Sequence, residues 1–152
     1  MIRPQTIAIV VDNPKRDLIS CYLLAKELVA LGFVVKLIPM LLVQRYIFLS
    51  CIDYILFNYC RKNNISLIKK IIKSGRKVGV LDTEGGVFTK MPPLYELDFF
   101  NNLYVDRFVA SQLSNYFVWG YEVLYALKNK NFFPNENIYL TGTPRTDLFA
   151  DN

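Results

Sequence analysis

The chain has 152 residues, the size of one ordinary domain, and 53% of them are hydrophobic, enough to build a core without disulfides or metals. It contains no histidine, so a histidine general base, a Ser-His-Asp triad and a typical zinc site are excluded. The net charge of +5 is a mild basic bias, compatible with anionic lipid, nucleotide or nucleic acid and equally with a merely solvated basic surface.

The first predicted element is a short buried strand. Thr6 to Val11 is apolar, rich in β-branched residues and bounded by turn-forming residues. A helix follows, with Asn13 or Asp17 as its N-cap, Pro14 in its first turn and Gly32 at its end. The residues before the strand lack the long apolar region of a signal peptide, so we expect no export signal. The residues expected on the inner face of the helix are Leu18, Cys21, Tyr22, Ala25, Leu28 and Val29.

A long apolar stretch from Leu37 to Cys60 has the length of a membrane span. A proline and several polar residues interrupt it, and its two ends differ in pattern. We interpret the region as the end of a second strand, Phe33 to Ile38, a buried helix over Leu41 to Ser50, and a buried third strand over Tyr54 to Asn58.

The following helix is clearly amphipathic and closes at Gly75. A fourth strand, Lys77 to Asp82, comes next and runs into Thr83-Glu84-Gly85-Gly86. Beyond Gly86 the pattern weakens. The helix is expected to turn Ile65, Ile68, Ile71 and Ile72 inward and to keep Lys69, Lys70 and Lys73 in water.

The remainder of the chain continues the alternation of helix and strand. The expected elements are a loop at Met91-Pro92-Pro93, one or two helices within Leu94 to Ser114, a fifth strand over Asn115 to Trp119, a helix over Tyr121 to Lys130 and a sixth strand over Asn137 to Thr141.

Strands that alternate with helices at this spacing imply right-handed crossovers and a parallel sheet. We therefore predict an α/β fold, a Rossmann-like, doubly wound and mostly parallel sheet of about six strands, formed by residues 1–152 as a single domain. The three cysteines, Cys21, Cys51 and Cys60, lie in apolar runs without CxxC spacing, which predicts buried reduced thiols and a cytoplasmic location.

Ligands of such sheets bind at the carboxyl ends of the strands. Classical dinucleotide and P-loop binding are disfavoured because the sequence has neither GxGxxG nor GxxxxGK[ST]. The loops selected by this rule are Asp12 to Asp17, Asp82 to Gly86, Trp119-Gly120, and Gly142 to Asp147.

The acidic loop offers the clearest chemistry. Asp82 and Glu84 flank a hydroxyl, and their carboxylates are suited to bind or deprotonate a sugar hydroxyl, while Gly85 and Gly86 permit close approach of a ligand to backbone amides. The alternative is an ordinary strand-end turn in which Asp82 caps the next helix and Glu84 is solvated.

Two other loops offer charged groups. Arg16 and Asp17 stand at a helix entrance that favours an anion, or else form an ordinary capped start with solvated charges. Arg145 and Asp147 contact substrate, or else pair to fix the turn. Trp119 is more typical of packing than of sugar stacking.

These residues together resemble a known family. Four elements resemble, in order, those of the bacterial surface carbohydrate biosynthesis proteins, and the last also resembles the GxPRxD sequence of teichoic-acid glycerophosphotransferases. The family commonly has asparagine where Thr143 stands. The four elements are Arg16-Asp17-Leu18 with Leu23-Leu24-Ala25, Asp82-Thr83-Glu84-Gly85-Gly86, Phe117-Val118-Trp119-Gly120, and Thr141-Gly142-Thr143-Pro144-Arg145-Thr146-Asp147-Leu148.

The resemblance implies the acceptor-side, N-terminal half of a glycosyltransferase of the two-domain GT-B architecture. Glu84 or Asp82 would orient or deprotonate the acceptor hydroxyl, and the second, donor-binding domain is expected to be absent from this chain, which alone would be inactive. The substrate-binding residues implied are Arg16, Asp17, Gly85, Gly86, Trp119, Gly120, Arg145 and Asp147.

The implied partners are a sugar or lipid-linked saccharide acceptor and the donor domain, with no cofactor, metal or nucleic acid. Peripheral contact with the inner membrane face is a further hypothesis, because Lys69, Lys70 and Lys73 and the apolar segment from Leu41 to Leu49 suit an anionic bilayer. Alternatives are a non-catalytic flavodoxin-like module that binds an anion or a protein, and one half of a sugar-nucleotide epimerase.

Overall fold

The computed structural model describes residues 3–83, 106–129 and 133–144. The strands in these ranges are β1 (Thr6–Val11), β2 (Val34–Pro39), β3 (Tyr54–Phe57), β4 (Lys77–Leu81), β5 (Asn115–Val118) and β6 (Ile138–Leu140). The helices are α1 (Pro14–Ala30), α2 (Val43–Leu49), α3 (Ile65–Lys73), α4 (Arg107–Gln112) and α5 (Tyr121–Asn129), with 3-10 turns at Met40–Leu42 and Asn135–Asn137. The predicted loop at Met91-Pro92-Pro93 lies outside the described residues.

The six strands form one sheet in the order β2-β1-β3-β4-β5-β6, and every neighbouring pair is parallel. Alternate residues of the strands face two separate cores. One core contains Ile7 and Ile9 with α1, and the other contains Ala8 and Val10 with the apolar sides of α2, α3, α4 and α5. The predicted α/β class and the Rossmann-like, doubly wound sheet are therefore confirmed.

Helix α1 begins where predicted, because the side chain of Asn13 accepts a hydrogen bond from the Lys15 amide and Pro14 is the first helical residue. Its inner face differs from the prediction. Leu18, Tyr22 and Val29 are exposed. The buried residues are Asp17, Ser20, Cys21 and Ala25. These buried side chains are small or polar, and Asp17 faces inward because its carboxylate accepts hydrogen bonds from Asn13 and Asn58.

Helix α2 is not the buried helix that its composition predicted. Only Val43 and Ile47 are buried, whereas Leu41 is 96% exposed and Leu49 79% exposed. The helix packs beneath β2, an edge strand, so the sheet covers only one of its sides. None of the described helices is long and apolar enough to cross a membrane.

Helix α3 has the predicted orientation. Ile68 and Ile71 are fully buried, and Ile65 and Ile72 pack against the same core while half-buried. Lys69 was expected to stay in water, but its Nζ pairs with Asp106 Oδ2 at 2.7 Å. Asp106 also caps α4 by accepting hydrogen bonds from two backbone amides, so one carboxylate joins α3 to α4.

The three cysteines are free thiols, and two are buried. Cys51 is exposed, so the prediction of burial is wrong for this residue. It lies between α2 and β3, where the chain turns at the surface. Burial, with a smaller contribution from Asp106, raises the pKa of the Cys60 thiol to about 12.

Gly79 in the middle of β4 makes room for a side chain of the neighbouring strand. A Cβ at this position would meet the phenol of Tyr54 in β3. The Tyr54 hydroxyl continues across β4 and donates a hydrogen bond to Asn115 Oδ1 of β5 at 2.9 Å. The missing side chain thus permits a polar link across three strands.

We expect Gly79→Ala to destabilise the fold by about 1–3 kcal/mol, the usual cost of overpacking. In a Tyr54→Ala background the same change should be nearly neutral, since the obstructing ring is gone. Chemical denaturation of the four proteins measures this coupling. Gly120→Ala is the matched control, because nothing lies within 4 Å of the position of its Cβ. Additive effects of the two substitutions would contradict the assigned contact.

The native protein should show one fast thiol toward a disulfide reagent near neutral pH. Cys51 is exposed, whereas Cys21 is buried and the raised pKa of Cys60 leaves almost no thiolate. Cys51→Ser should remove the fast phase, and denaturant should reveal the remaining thiols. A fast reaction that survives Cys51→Ser would contradict the burial of the other two.

Candidate functional site at the carboxyl edge of the sheet

The strand order places a crevice between β1 and β3. The chain leaves β1 through α1 on one face of the sheet, and leaves β3 toward α3 on the other face. The loops that follow these neighbouring strands therefore diverge, and this is where doubly wound sheets bind ligands. The parallel pairing brings the ends of β4, β5 and β6 to the same edge.

Asp17 occupies the crevice and is only 1% exposed. Its carboxylate accepts hydrogen bonds from the Asn13 backbone N–H at 3.1 Å and from Asn58 Nδ2, just beyond β3, at 3.2 Å. It also binds the Arg16 guanidinium, with Nε 2.8 Å from Oδ1. A buried carboxylate needs such partners to offset its lost hydration.

Arg16 is held mainly by carboxylates. Besides its two hydrogen bonds to Asp17, it lies 3.7 Å from Asp12. The predicted pair Arg16 and Asp17 is thus brought to the carboxyl edge, where the two side chains bind each other. This geometry fits a capped helix start, and an anion at this point would compete with two carboxylates for one guanidinium.

Asn58 extends the network to β4. Its carbonyl oxygen accepts hydrogen bonds from the Thr83 backbone N–H at 3.1 Å and from Thr83 Oγ1 at 3.3 Å. The end of β1, through Asp17, is therefore connected to the first residues of the predicted acidic loop. Sequence analysis missed Asn58 because a lone asparagine after a strand has no distinguishing pattern.

Asp82 is 3% exposed, and its backbone N–H donates to the Phe117 carbonyl at 3.0 Å, which prolongs the β4–β5 pairing. Burial raises the pKa of Tyr116 well above its usual range, and the nearby Asp82 raises it further. The Tyr116 hydroxyl is fully buried and has no hydrogen-bond partner in the described ranges. Tyr116 thus brings a buried hydroxyl near Asp82, and the sequence did not single out Tyr116.

Trp119 and Gly120 follow β5 at the same edge. The Gly120 carbonyl accepts the Leu124 amide at 3.1 Å and so begins α5. The indole Nε1 of Trp119 is buried and lacks a hydrogen-bond partner among residues 3–83, 106–129 and 133–144. Trp119 therefore places a buried indole donor near this edge, for which the described residues offer no acceptor.

Thr141, Gly142 and Pro144, which follow β6, border an open apolar groove of about 490 Å³ on the α1 side of the sheet. Gly142 has a φ of 77°, which favours glycine. The groove runs over the sheet beside α1, whereas Asp82 lies near Tyr116, in the core of the opposite face. The prediction that the Gly142 to Asp147 turn shares the carboxyl edge with Asp82 is confirmed for its described residues, Gly142 to Pro144. Asp82 does not line the groove that Gly142 and Pro144 border, so the described residues of the two loops do not face one common crevice as predicted. The groove lining includes Leu24, Leu28, Leu81, Phe117, Gly142 and Pro144.

Several predicted site residues lie outside the described residues, namely Glu84, Gly85, Gly86, Arg145 and Asp147. The structure brings Arg16, Asp17, Asp82, Trp119 and Gly120 to one edge. Within the described ranges, no group of three or more histidine, cysteine, aspartate or glutamate side chains is placed to hold a metal ion. Comparisons with protein-family models, curated proteins and solved structures gave no match to this chain.

We expect Asp17→Ala to destabilise the protein by about 2–4 kcal/mol, because it leaves a buried amide and the Asn58 side chain without their acceptor. Asp12→Ala is the matched control. Its longer and partly exposed contact with Arg16 should make the change worth less than about 1 kcal/mol. Chemical denaturation distinguishes the two, and equal small effects would contradict the central role of Asp17.

Proposed function

We propose that the domain binds the acceptor of a glycosyltransferase or sugar-phosphate transferase in bacterial surface polysaccharide synthesis. The observation that carries the proposal is the convergence of distant motif residues on the ligand-binding edge of a doubly wound sheet. Their order along the chain, which resembles that of surface carbohydrate biosynthesis proteins, supplies the reaction class. The described residues concerned are Arg16, Asp17, Asp82, Trp119, Gly120 and Thr141 to Pro144.

The two carboxylates receive different roles in this proposal. Asp82 is nearly inaccessible and is joined to β5 through its backbone amide, which suits a positioning residue. Glu84, two residues further from the strand, is assigned to orient or deprotonate the acceptor hydroxyl. A fixed Asp82 would hold the start of the loop against the sheet while Glu84 meets the substrate.

The anionic part of the acceptor is assigned chiefly to Arg145, with Gly85 and Gly86 offering backbone amides and Asp147 orienting the turn. Arg16 is assigned a smaller part in binding the anionic group, because its guanidinium is already paired with Asp12 and Asp17. Because Arg16 is paired with two carboxylates, Asp12 and Asp17, this part of the edge favours a hydroxyl-rich ligand over a highly charged one.

A donor-binding domain outside these residues completes the proposed transferase. The apolar groove beside Gly142 and Pro144 supports this arrangement, since a large exposed apolar surface is typical of an interface. Under this proposal the 152-residue chain binds acceptor but does not transfer sugar, acts in the cytoplasm, and needs neither cofactor nor metal.

A second candidate is a non-catalytic flavodoxin-like module that binds an anion or a protein partner. The order of the first five strands, β2-β1-β3-β4-β5, favours it, because this is the flavodoxin-like arrangement with its switch point between β1 and β3. The apolar character of the groove favours the transferase, since a module acting alone would be expected to have a polar face there.

We expect glucose 1-phosphate and glycerol 3-phosphate to bind weakly at the carboxyl edge. In an amide NMR titration, the perturbed signals should be those of the loops after β1, β3, β4 and β6, together with the Trp119 indole. Glu84→Gln should weaken binding about tenfold or more, the effect of losing a charge-assisted hydrogen bond to the ligand. Asp82→Asn should weaken binding less, because Asp82 is nearly inaccessible and acts through the position of the loop. Glu136→Gln, in the turn before β6 at the opposite edge, is the matched control.

Inorganic phosphate separates the two candidates. If it binds as tightly as the two sugar phosphates, the anion-binding module is favoured and the acceptor role fails. Perturbations confined to the amino edge, around Asp53 and Asn137, would contradict both. Thermal unfolding of Asp82→Asn shows whether the buried carboxylate is needed for folding. If Asp82→Asn does not fold, Glu84→Gln alone tests the binding role of the acidic loop.

A further inference from the structure

The segment from Met40 to Leu49 exposes a cluster of large apolar side chains. Leu41 and Leu49 are almost fully in water, and between them only Val43 and Ile47 turn toward the core. Such a concentration of exposed apolar surface is unusual for a surface that contacts only water. We call it the α2 patch; its members are Leu41, Leu42, Tyr46, Phe48 and Leu49.

The α2 patch lies in a part of the chain that is almost free of acidic residues. From position 28 to position 81 there are nine lysines and arginines and a single acid, Asp53. Asp53 is neutralised by Arg3, which holds it through two hydrogen bonds of 2.6 and 2.8 Å. The side chains of Lys62, Lys70 and Lys73 on and before α3 are exposed, in the same layer as α2.

Basic groups directly border the apolar side chains. The Arg76 guanidinium lies 5.6 Å from the ring centre of Phe48. Lys36 of β2 lines an open groove of about 490 Å³ together with Leu42 and Tyr46. Arg45 is an exposed member of α2 itself. Aromatic and aliphatic side chains bordered by cations are the composition of interfacial, membrane-surface helices.

We infer that the α2 patch and the neighbouring basic residues of α3 dock the protein on the surface of an anionic lipid bilayer. The apolar side chains enter the boundary between headgroups and acyl chains, while Lys36, Arg45 and Arg76 meet lipid phosphates. Since Leu41 directly follows β2, the patch begins at the carboxyl edge of the sheet and continues along α2.

Other occupants fit the observations less well. A nucleic acid would pair with the cations but leave Leu41 and Leu49 in water. A second copy docked through the same patch would bring two basic surfaces together without a described unpaired acid to meet them. An anionic bilayer satisfies both the apolar and the basic groups.

The test is co-sedimentation of the protein with vesicles of phosphatidylcholine alone and of phosphatidylcholine mixed with phosphatidylglycerol. Binding should require phosphatidylglycerol and weaken in high salt. The double variants Leu41→Ser with Leu49→Ser, and Lys70→Glu with Lys73→Glu, should each lower the partition coefficient about tenfold or more.

Matched controls come from the opposite layer, where Leu31 is 74% exposed and Lys26 is an exposed lysine of α1. Leu31→Ser and Lys26→Glu should change binding less than about twofold if the α2 patch is the contact. All substituted side chains are exposed, and unchanged thermal unfolding verifies the fold.

Equal binding to neutral vesicles, indifference to salt, or loss of binding in the controls would each overturn the inference. A concentration-dependent dimer abolished by Leu41→Ser with Leu49→Ser would overturn it in favour of self-association. The α2 patch and the Asp82 site are different surfaces, so vesicle binding and sugar-phosphate binding fail independently.

Discussion

The buried carboxylate of Asp17 is the constraint on which the carboxyl edge depends. A charge with almost no access to water is stable only if several donors face it, and here a backbone amide, the Asn58 side chain and the Arg16 guanidinium do so. These donors come from the start of α1, just after β1, and from the loop after β3, so satisfying Asp17 fixes the mouth of the crevice. Asn58 then positions Thr83, and the start of the acidic loop becomes part of the same network.

The order of the sheet explains why its two faces differ. From β3 onward each strand is added on the same side of its predecessor, and right-handed crossovers then place α3, α4 and α5 on one face. The other face receives α1, which covers the strands near β1. On this face Tyr54 lies across Gly79 and partly covers β4 and β5. The part of the face that neither α1 nor Tyr54 covers is the apolar groove beside Gly142.

The sequence predicted the strands, their parallel orientation and the convergence of the loops well, because buried parallel strands are short apolar runs whose ends share one edge. It did not predict the order of the strands. The sequence-based prediction failed at apolar residues that are exposed in the structure. Leu41, Leu49 and Cys51 were expected inside and are exposed, since α2 and its following loop have the sheet on one side only. The partners of Asp17 were also unpredictable, because the contact with Asn58 joins residues 41 positions apart without a local pattern.

Acidic and basic side chains are concentrated on different parts of the domain. Asp12, Asp17 and Asp82 gather at the carboxyl edge, while the described residues of α2, α3 and their connections contribute cations and no acid other than the paired Asp53. An anionic bilayer attracts the second region more strongly than the first, where Arg16 pairs with Asp12 and Asp17. Contact through the α2 patch, as proposed, would therefore leave the carboxyl edge beside the membrane instead of against it. Under the proposed function, a hydroxyl-bearing headgroup projecting from the bilayer would reach this edge without the carboxyl ends of the strands having to enter the lipid.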